Sequence, residues 1–271
     1  MKIGIFEEYP CDENLSKLSY LKSPADLIIA AQNIRKFDDL TRQIRASSPN
    51  VKKLGYWPVL DKQDGYWISA FTKPTALNRV LNELAERADP KSPFFAMLDI
   101  ETPFIFDKSQ LIKRLSDYES NKRRINSFAK QYSNRGLDLI TAEHNTTTVP
   151  EVVQKVLGLQ IDSKQVNCER IRMVYTSLAK YLPKFLGDIP RGIEKQILKR
   201  ESKKGLAKYG DKFYIGLGCI ASGILGNEPS LTPKELAEDI QIVKEQGVNG
   251  IYIFRLGGIN SEFAEAIESS K

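Results

Sequence analysis

The chain has 271 residues, of which 41% are hydrophobic and 27% are charged, and its formal net charge is +6. These proportions are ordinary for a globular protein, so they exclude a disordered chain, a collagen and a small disulfide-rich scaffold. No stretch reaches the roughly 20 apolar residues that a membrane span needs. The amino-terminal residues carry acids where a secretory signal would continue its apolar region, and the three cysteines lie far apart. We therefore expect a cytoplasmic protein without disulfides or a CxxC metal site.

Positive charge is concentrated in residues 108–135 and 180–208. In both stretches Lys and Arg alternate with Leu, Ile and Phe at helical spacing, which is typical of the solvated outer face of a long helix. Binding to nucleic acid or to an acidic membrane is the alternative, but no recognised motif supports it. We expect neither kind of partner, and the sequence does not indicate an oligomeric state.

Eight nearly continuous apolar runs follow one another along the chain, with helix-type patterns between them. Such runs are typical of strands that are buried on both faces, as in parallel sheets. The predicted strands cover residues 2–7, 26–32, 53–59, 94–101, 137–143, 170–175, 212–219 and 250–256.

The clearest predicted helix begins after Thr232. Thr232 is a good capping residue, Pro233 suits the first helical position, and Glu235 completes a capping box. Gly247 stands where the helix is expected to stop. A last short helix is predicted over residues 261–269.

Eight strands, each followed by a helix, predict an α/β fold of the (β/α)8 TIM barrel type, formed as a single domain by residues 1–271. A doubly wound open sheet is the alternative. It would place a GxGxxG phosphate-binding turn after the first strand, where this chain has Glu7-Glu8-Tyr9-Pro10.

A barrel carries its function at the carboxyl ends of its strands, so the polar and aromatic residues there are candidates. The strongest pair is Asp99 and Glu101, which end an apolar strand. Residues two apart on a strand point to the same face, with Cα atoms roughly 7 Å apart. Crowding and burial would raise the pKa of one carboxyl group, which gives a proton donor beside an ionised partner. Salt bridges at the rim of the barrel are the alternative interpretation.

This strand-four Asp-x-Glu resembles that of the chitinase-like and Chalaropsis-lysozyme-like glycosidases, and Met173-Val174-Tyr175 resembles the chitinase Met-x-Tyr on strand six. The resemblance implies that Glu101 is the general acid. It implies that Asp99 orients the N-acetyl group of the sugar, whose oxygen is the nucleophile, and that Tyr175 donates a hydrogen bond to that group. The chain lacks the Trp that the family has on strand eight.

Further candidates lie at the other strand ends. Pyranose rings stack on aromatic planes, so an aromatic platform near the acids suits a sugar, although a loop packed on itself would have the same composition. The predicted substrate-binding residues are Glu8, Tyr56, Trp57, Trp67, Asn145 and Arg255.

Glu143 on strand five is a further catalytic candidate, either assisting Glu101 or acting as a carboxylate nucleophile. With Asp99 and Glu101 it could instead hold Mg²⁺ or Mn²⁺ through oxygen ligands. The glycines of Gly216-Leu217-Gly218 and Leu256-Gly257-Gly258 leave phosphate binding open as well.

The sequence therefore predicts a glycoside hydrolase-like enzyme that uses general acid catalysis on a small-molecule or oligosaccharide substrate, with no cofactor. A metal- or phosphate-dependent sugar isomerase, epimerase or aldolase is one alternative, and a non-catalytic carbohydrate-binding barrel is another. No second histidine or paired cysteine accompanies His144 or the three cysteines, so we expect these four residues to be dispensable for activity.

Overall fold

The computed structural model describes residues 1–102, 108–161, 166–181 and 191–270. The eight strands are Lys2–Glu7 (β1), Ala25–Ala31 (β2), Val51–Pro58 (β3), Phe94–Asp99 (β4), Leu137–His144 (β5), Cys168–Met173 (β6), Phe213–Gly218 (β7) and Gly250–Phe254 (β8). The main helices are Asp12–Ser16 (α1), Ile34–Ser47 (α2), Pro74–Glu86 (α3), Lys108–Tyr132 (α4), Glu151–Val156 (α5), Arg191–Tyr209 (α6), Pro233–Glu245 (α7) and Ser261–Ser269 (α8).

The strands form a closed barrel in the order β1 to β8, which confirms the predicted (β/α)8 fold. Every residue of β2, β7 and β8 is buried, as expected for strands that have a core on both faces. The predicted bounds of β1 and α8 are those observed, whereas β6 lies two residues earlier than its pattern indicated. Beyond β6, the chain turns into a short 3₁₀ helix at Thr176–Tyr181.

The predicted capping of α7 is present. The Thr232 hydroxyl accepts a hydrogen bond from the Glu235 N–H, and the Glu235 carboxylate accepts one from the Thr232 N–H at 2.7 Å. Pro233 occupies the first helical position. Gly247 follows the helix with φ of 79°, a left-handed conformation that glycine adopts without a steric penalty.

The chain divides into two compact units that alternate along the sequence. Unit 1 comprises Met1–Ile29, Leu40–Leu54 and Ile171–Lys271, and unit 2 comprises Ala30–Asp39 and Gly55–Arg170. The prediction of a single domain over residues 1–271 is not tested by this division and stays a prediction.

In unit 1, α6 packs on the start of β7. The buried residues of α6 recur at spacings of three and four, and Gly205 faces the ring of Phe213, which is fully buried. On the same helix face, the Glu201 carboxylate lies 3.3 Å from Arg172 of β6. Arg200, Lys203 and other basic residues of α6 are exposed, as a solvated helix face requires.

In unit 2, α3 presents the apolar stripe that its sequence pattern indicated. Leu77, Val80, Leu81 and Leu84 are all buried. Such a stripe anchors a helix on a sheet by removing apolar surface from water.

Among the residues that the structure describes, no helix is long and apolar enough to cross a membrane. The expected cytoplasmic location stays a prediction.

Candidate active site

The register between β4 and β5 decides which side chains share a face in unit 2. Asp99 pairs with Ala142 and Leu98 pairs with Thr141. Partners across parallel strands point to the same side, and successive residues alternate. Asp99 and His144 therefore lie on one face, and Thr141 and Glu143 lie on the other.

Asp99, Glu101 and His144 form a cluster at the carboxyl ends of β4 and β5. The side chain of Asp99 is buried and hydrogen-bonds Glu101, whereas that of Glu101 keeps 20% exposure. His144 Nε2 lies 3.8 Å from Glu101 Oε2. Burial raises the pKa of Glu101, and the nearby His144 and Asp99 oppose that rise. The site thus holds a carboxyl group whose protonated form is favoured and which solvent still reaches.

The loop after β5 is held by Gln154 of α5, which is buried. Its amide donates hydrogen bonds to the backbone oxygens of Val149 at 2.7 Å and His144 at 3.1 Å. Asn145 lies in this loop, where its side-chain oxygen accepts a hydrogen bond from the Thr148 N–H at 2.8 Å. The predicted substrate residue Asn145 therefore shapes the loop, and Gln154 fixes the backbone that carries His144.

Glu143 does not join this cluster. Its carboxylate pairs with Arg170 of β6 at 2.6 Å, and both side chains are nearly inaccessible. Arg170 also donates to the Ile161 backbone oxygen at 3.2 Å, and the Thr141 hydroxyl lies 3.1 Å from Glu143. These contacts occupy Glu143 in an internal ion pair away from the cluster, and its predicted role as an acid, nucleophile or metal ligand stays a prediction.

Tyr56 is also turned away from the cluster. Its ring packs against Phe37 of α2 and Phe94, with centroids 5.2 and 6.4 Å away. Its hydroxyl lies 3.3 Å from Glu83 of α3. Because Tyr56 faces the helices and has no exposed surface, a sugar has no face of it to stack on. This packing gives no support to the predicted contact of Tyr56 with substrate, which stays a prediction.

The two tryptophans are placed differently. Trp57 follows Tyr56 on β3 and points to the opposite face, which is the face of Asp99, but it is 3% exposed. Trp67 is partly exposed and packs edge-on against Tyr66, with centroids 5.3 Å apart. Next to it, Ile68 pairs with Ile100 between the two acids. The loop does pack on itself, yet it holds Trp67 beside the end of β4.

In unit 1, the carboxylate of Glu7 organises the end of β1. It accepts hydrogen bonds from the backbone N–H groups of Tyr9 and Gly257, both at 2.7 Å. Arg255 donates to it at 2.9 Å, and the guanidinium lies over the Tyr9 ring at 4.9 Å. Burial raises the pKa of Glu7, and Arg255 opposes that rise. Arg255 thus neutralises a buried acid, which leaves its predicted contact with substrate a prediction.

Glu8 and Tyr175 flank the same ring in unit 1. A Cβ atom on Gly223 would lie 2.7 Å from both Glu8 Oε2 and Phe254 Cζ, so both side chains reach this glycine. The ring of Tyr175 packs on Phe254, with centroids 5.6 Å apart. The structure therefore brings two predicted site residues to one place at the ends of β1, β6 and β8.

Two kinds of observation concern the metal and phosphate alternatives. Within residues 1–102, 108–161, 166–181 and 191–270, no group of three or more His, Cys, Asp or Glu side chains is placed to hold a metal ion. The Gly257 N–H already binds Glu7. A Cβ atom on Gly258 would lie 2.0 Å from the Ile220 backbone oxygen, so close packing accounts for that glycine.

The sequence did not show that His144 lies beside Glu101 or that Gln154 holds the loop after β5, and the predicted dispensability of His144 stays a prediction. The signal for His144 was present, because alternation already placed it opposite Glu143. The sequence alone does not give the register between β4 and β5, which shows that His144 and Asp99 lie on the same face. Gln154 gave no signal, since its role depends on the shape of a loop.

Comparison with protein-family models finds no match, and neither does comparison with curated proteins. Comparison with solved structures finds many. A class V chitinase from Pseudomonas fluorescens Pf-5 is 12% identical, with 99% of each chain covered and a TM-score of 0.57. A class V chitinase from Nicotiana tobaccum, solved with NAG4, is 11% identical over 98% of this chain and 97% of that one, with a TM-score of 0.54. A D-psicose 3-epimerase is 15% identical over 100% of this chain and 96% of that one, with a TM-score of 0.53.

At these identities the likeness concerns the fold. It confirms the chitinase-like resemblance as a likeness of barrel architecture that extends over nearly the whole chain. The sugar epimerase resembles this chain in fold about as closely as the chitinases do. The fold therefore does not by itself distinguish glycoside hydrolysis from sugar epimerisation.

Proposed function

We propose that this protein is a glycoside hydrolase in which Glu101 donates a proton to the glycosidic oxygen. The observation that carries this proposal is the Glu101 carboxyl group, whose pKa is raised by burial while part of the side chain stays open to solvent. A general acid needs a proton near neutral pH and access to the leaving oxygen. Burial shifts the pKa of Glu101 towards this condition, and the 20% exposure of its side chain supports the second one.

In the proposed reaction, the proton passes from Glu101 to the leaving oxygen as the bond from that oxygen to the anomeric carbon breaks. Following the chitinase-like resemblance, the oxygen of the substrate's N-acetyl group attacks that carbon and Asp99 orients the group. Glu101, now a carboxylate, then removes a proton from the water that completes hydrolysis. The hydrogen bond between Asp99 and Glu101 fixes the geometry of the two acids.

The substrate is proposed to be a saccharide with an N-acetyl group. The tobacco class V chitinase was solved in complex with NAG4. Trp67 offers a partly exposed aromatic surface beside the end of β4. The roles of Trp57, Asn145, Glu8 and Arg255 in substrate binding stay predictions, and that of Tyr175 is supported by its motif alone.

The test is kinetic, with aryl glycosides of N-acetylglucosamine and N-acetylglucosamine oligomers as substrates. Glu101→Gln should lower kcat by about 10² to 10⁴-fold and leave binding of the oligomer nearly unchanged. Glu151→Gln is the matched control, because this carboxylate is partly exposed on α5 and pairs with Lys155. Full activity in Glu101→Gln would overturn the assignment.

A sugar epimerase is the second candidate, favoured by the likeness to the D-psicose 3-epimerase barrel. The two candidates differ in what Asp99 and Glu101 bind. If the wild-type chain cleaved no glycoside, bound Mn²⁺ and lost that binding in Asp99→Asn, the epimerase would replace the hydrolase. Sugar binding without turnover of any kind would favour the non-catalytic barrel.

A further inference from the structure

Three acids of unit 1 are buried at the carboxyl ends of the strands. Glu7, Glu8 and Glu228 are 0%, 5% and 8% exposed. Glu7 ends β1, Glu8 follows it, and Glu228 lies in the loop that joins β7 to α7. Ligands of a (β/α)8 barrel bind among such loops. Burying a carboxylate has a large free-energy cost unless a cation or hydrogen-bond donors compensate it, so each of the three acids needs compensation.

Arg255 and Lys17 are engaged around Glu7. Arg255 donates to the Glu7 carboxylate at 2.9 Å and to the Ser222 backbone oxygen at 2.8 Å. Lys17 donates to the backbone oxygen of Gly257, whose N–H binds Glu7. The charge of Glu7 is therefore compensated within the protein.

The carboxylate of Glu228 is compensated through one of its two oxygens. Its Oε1 accepts a hydrogen bond from the Leu225 N–H at 3.0 Å. Its Oε2 is buried, and none of the residues that the structure describes hydrogen-bonds it. Glu8 reaches the same loop, because its Oε2 lies 2.7 Å from the position of a Cβ atom on Gly223. The loop over residues 223–228 thus meets two carboxylates.

Glu8 and Glu228 act on the same neighbouring side chains. Burial, with the charges of these two acids, raises the pKa of Tyr9 to about 12, although Arg255 opposes the rise. Burial also raises the pKa of Cys219 to about 12, and the same two carboxylates contribute to that rise. Because electrostatic effects fall off with distance, both acids lie close to Tyr9 and to Cys219. The two carboxylates therefore form one negative region.

Aromatic rings lie beside this negative region. Phe254 Cζ is as near to the Gly223 Cβ position as Glu8 Oε2 is, at 2.7 Å. The ring of Tyr175 packs on Phe254, with centroids 5.6 Å apart, and Tyr175 is partly exposed. Tyr9 is 38% exposed. Carboxylates next to aromatic rings that solvent reaches suit an organic cation, because the cation is attracted to the face of a ring as well as to the acids.

An inorganic cation fits the region less well. Ca²⁺ takes about six to eight oxygen ligands, and Mg²⁺ requires an octahedral set. Within the described part of the chain, no group of three or more His, Cys, Asp or Glu side chains is placed to hold a metal ion. A primary ammonium group has three N–H donors, which two carboxylates and an adjacent ring can satisfy.

We propose that Glu8 and Glu228 bind the primary ammonium group of an amino sugar or an alkylamine. The ammonium group donates hydrogen bonds to both carboxylates, including Glu228 Oε2, and the carbon atoms of the ligand contact Tyr175 and Phe254. Entry of the ligand requires the loop to move away from Oε2, and residues 225–227 of this loop are exposed. The site goes beyond the proposed function, because it requires neither Glu101 nor the cleavage of a bond.

Isothermal titration calorimetry of the full-length protein tests the site with three probes at about pH 6, where primary amines are protonated. Glucosamine and butylamine carry the ammonium group, and N-acetylglucosamine has the sugar ring without it. The wild type should bind at least one of the two amines. Tighter binding of glucosamine would identify an amino sugar as the ligand, and tighter binding of butylamine would identify an alkylamine.

Glu228→Gln is the decisive variant, because it keeps an acceptor for the Leu225 N–H and removes the charge. It should weaken binding of the amine by about 10- to 100-fold, as expected for the loss of a charge-assisted hydrogen bond. Binding of N-acetylglucosamine, if any, should stay within about two-fold. Glu238→Gln is the control in unit 1, since that carboxylate is 35% exposed and pairs with Lys195. It should leave amine binding within about two-fold as well.

The proposal would be overturned if neither amine bound the wild type, or if Glu228→Gln bound the amine as tightly as the wild type does. An equal loss of amine and N-acetylglucosamine binding would also overturn it, because the charge would then not be what is recognised. If Glu228→Gln did not fold, Glu8→Gln makes the same test. None of the three probes contains a glycosidic bond, so an absence of hydrolysis would overturn the proposed function and leave this site standing.

Discussion

Glu143 and Arg170 form an ion pair inside the protein, with Oε1 and Nη1 2.6 Å apart and both side chains 3% exposed or less. The pair turns Glu143 away from Asp99 and Glu101, although all three acids lie at the ends of neighbouring strands. A carboxylate near a candidate active site is thereby committed to structure. Two predictions distinguish this role from a catalytic one.

Arg170→Met should destabilise the protein by about 3 to 5 kcal/mol, because it leaves the Glu143 charge buried without its cation. Chemical denaturation followed by circular dichroism measures the loss. The double variant Glu143→Leu with Arg170→Met should recover most of it, since an apolar pair of similar volume replaces the ion pair.

The same double variant tests the chemistry. It should retain the kcat of the wild type on any substrate that the wild type cleaves. A folded double variant without activity would show that Glu143 acts in the reaction after all.

The barrel could be predicted from the sequence because its signals are local, whereas the site could not, because it depends on how neighbouring strands pair. Apolar runs and the Thr232–Glu235 capping box are local, so β1, α7 and α8 were predicted closely. Which of two alternating faces points inward depends on the register with the next strand, as Glu143 and His144 illustrate.

Tyr56 shows the same limit in a neighbouring strand. It precedes Trp57, and both residues suit a sugar platform by composition. Only the contacts of Tyr56 with Phe37 and Glu83 show that it belongs to the helix layer. The sequence shows that an aromatic residue is present, but only its packing shows whether it can contact a substrate.

Glu101→Gln should be more stable than the wild type at neutral pH. The folded-state pKa of Glu101 is raised by burial, so its contribution to stability is fully present below its ordinary value near 4.5 and is lost as pH rises through the folded-state pKa. The variant has no charge to bury. Its advantage in free energy of unfolding should therefore grow with pH above 4.5, at up to about 1.4 kcal/mol per pH unit.

Thermal unfolding of both proteins between pH 4 and pH 8 provides the measurement. Glu151→Gln is again the control, because its partly exposed carboxylate should give a difference that changes little across this range. A difference between Glu101→Gln and the wild type that stayed flat across this range would mean that burial does not disfavour the Glu101 charge.

Gly205→Ala should destabilise α6 against β7. A Cβ atom on Gly205 would lie 1.9 Å from Phe213 Cζ, and the Phe213 ring is fully buried. Overpacking of this kind costs about 1 to 3 kcal/mol.

Gly192→Ala on the same helix is the control, because a Cβ atom there meets nothing within 4 Å. It should be neutral or stabilising by up to about 1 kcal/mol. Denaturation midpoints that ranked the two variants in the opposite order would contradict the packing of α6.

The buried Asp239 of α7 leads us to expect a second pH dependence of the free energy of unfolding. This residue is far in sequence from Glu101. Its carboxylate is fully buried, accepts a hydrogen bond from the Thr176 hydroxyl at 2.6 Å and pairs with Arg191 at 2.8 Å. Burial raises its pKa from 3.8 to about 6, even though Thr176 and Arg191 oppose the rise. The stabilising contribution of the protonated acid is therefore complete below pH 3.8 and is lost as pH rises through about 6.

In Asp239→Asn, this loss should be absent. The free energy of unfolding of the variant, relative to the wild type, should rise by about 3 kcal/mol between pH 3.5 and pH 7, since each pKa unit corresponds to about 1.4 kcal/mol. Glu238→Gln is the matched control on α7, because that carboxylate is 35% exposed and pairs with Lys195 at 3.0 Å. Urea denaturation at several pH values measures all three proteins. A relative stability of Asp239→Asn that fell as pH rose would show that Arg191 and Thr176 outweigh burial at this position.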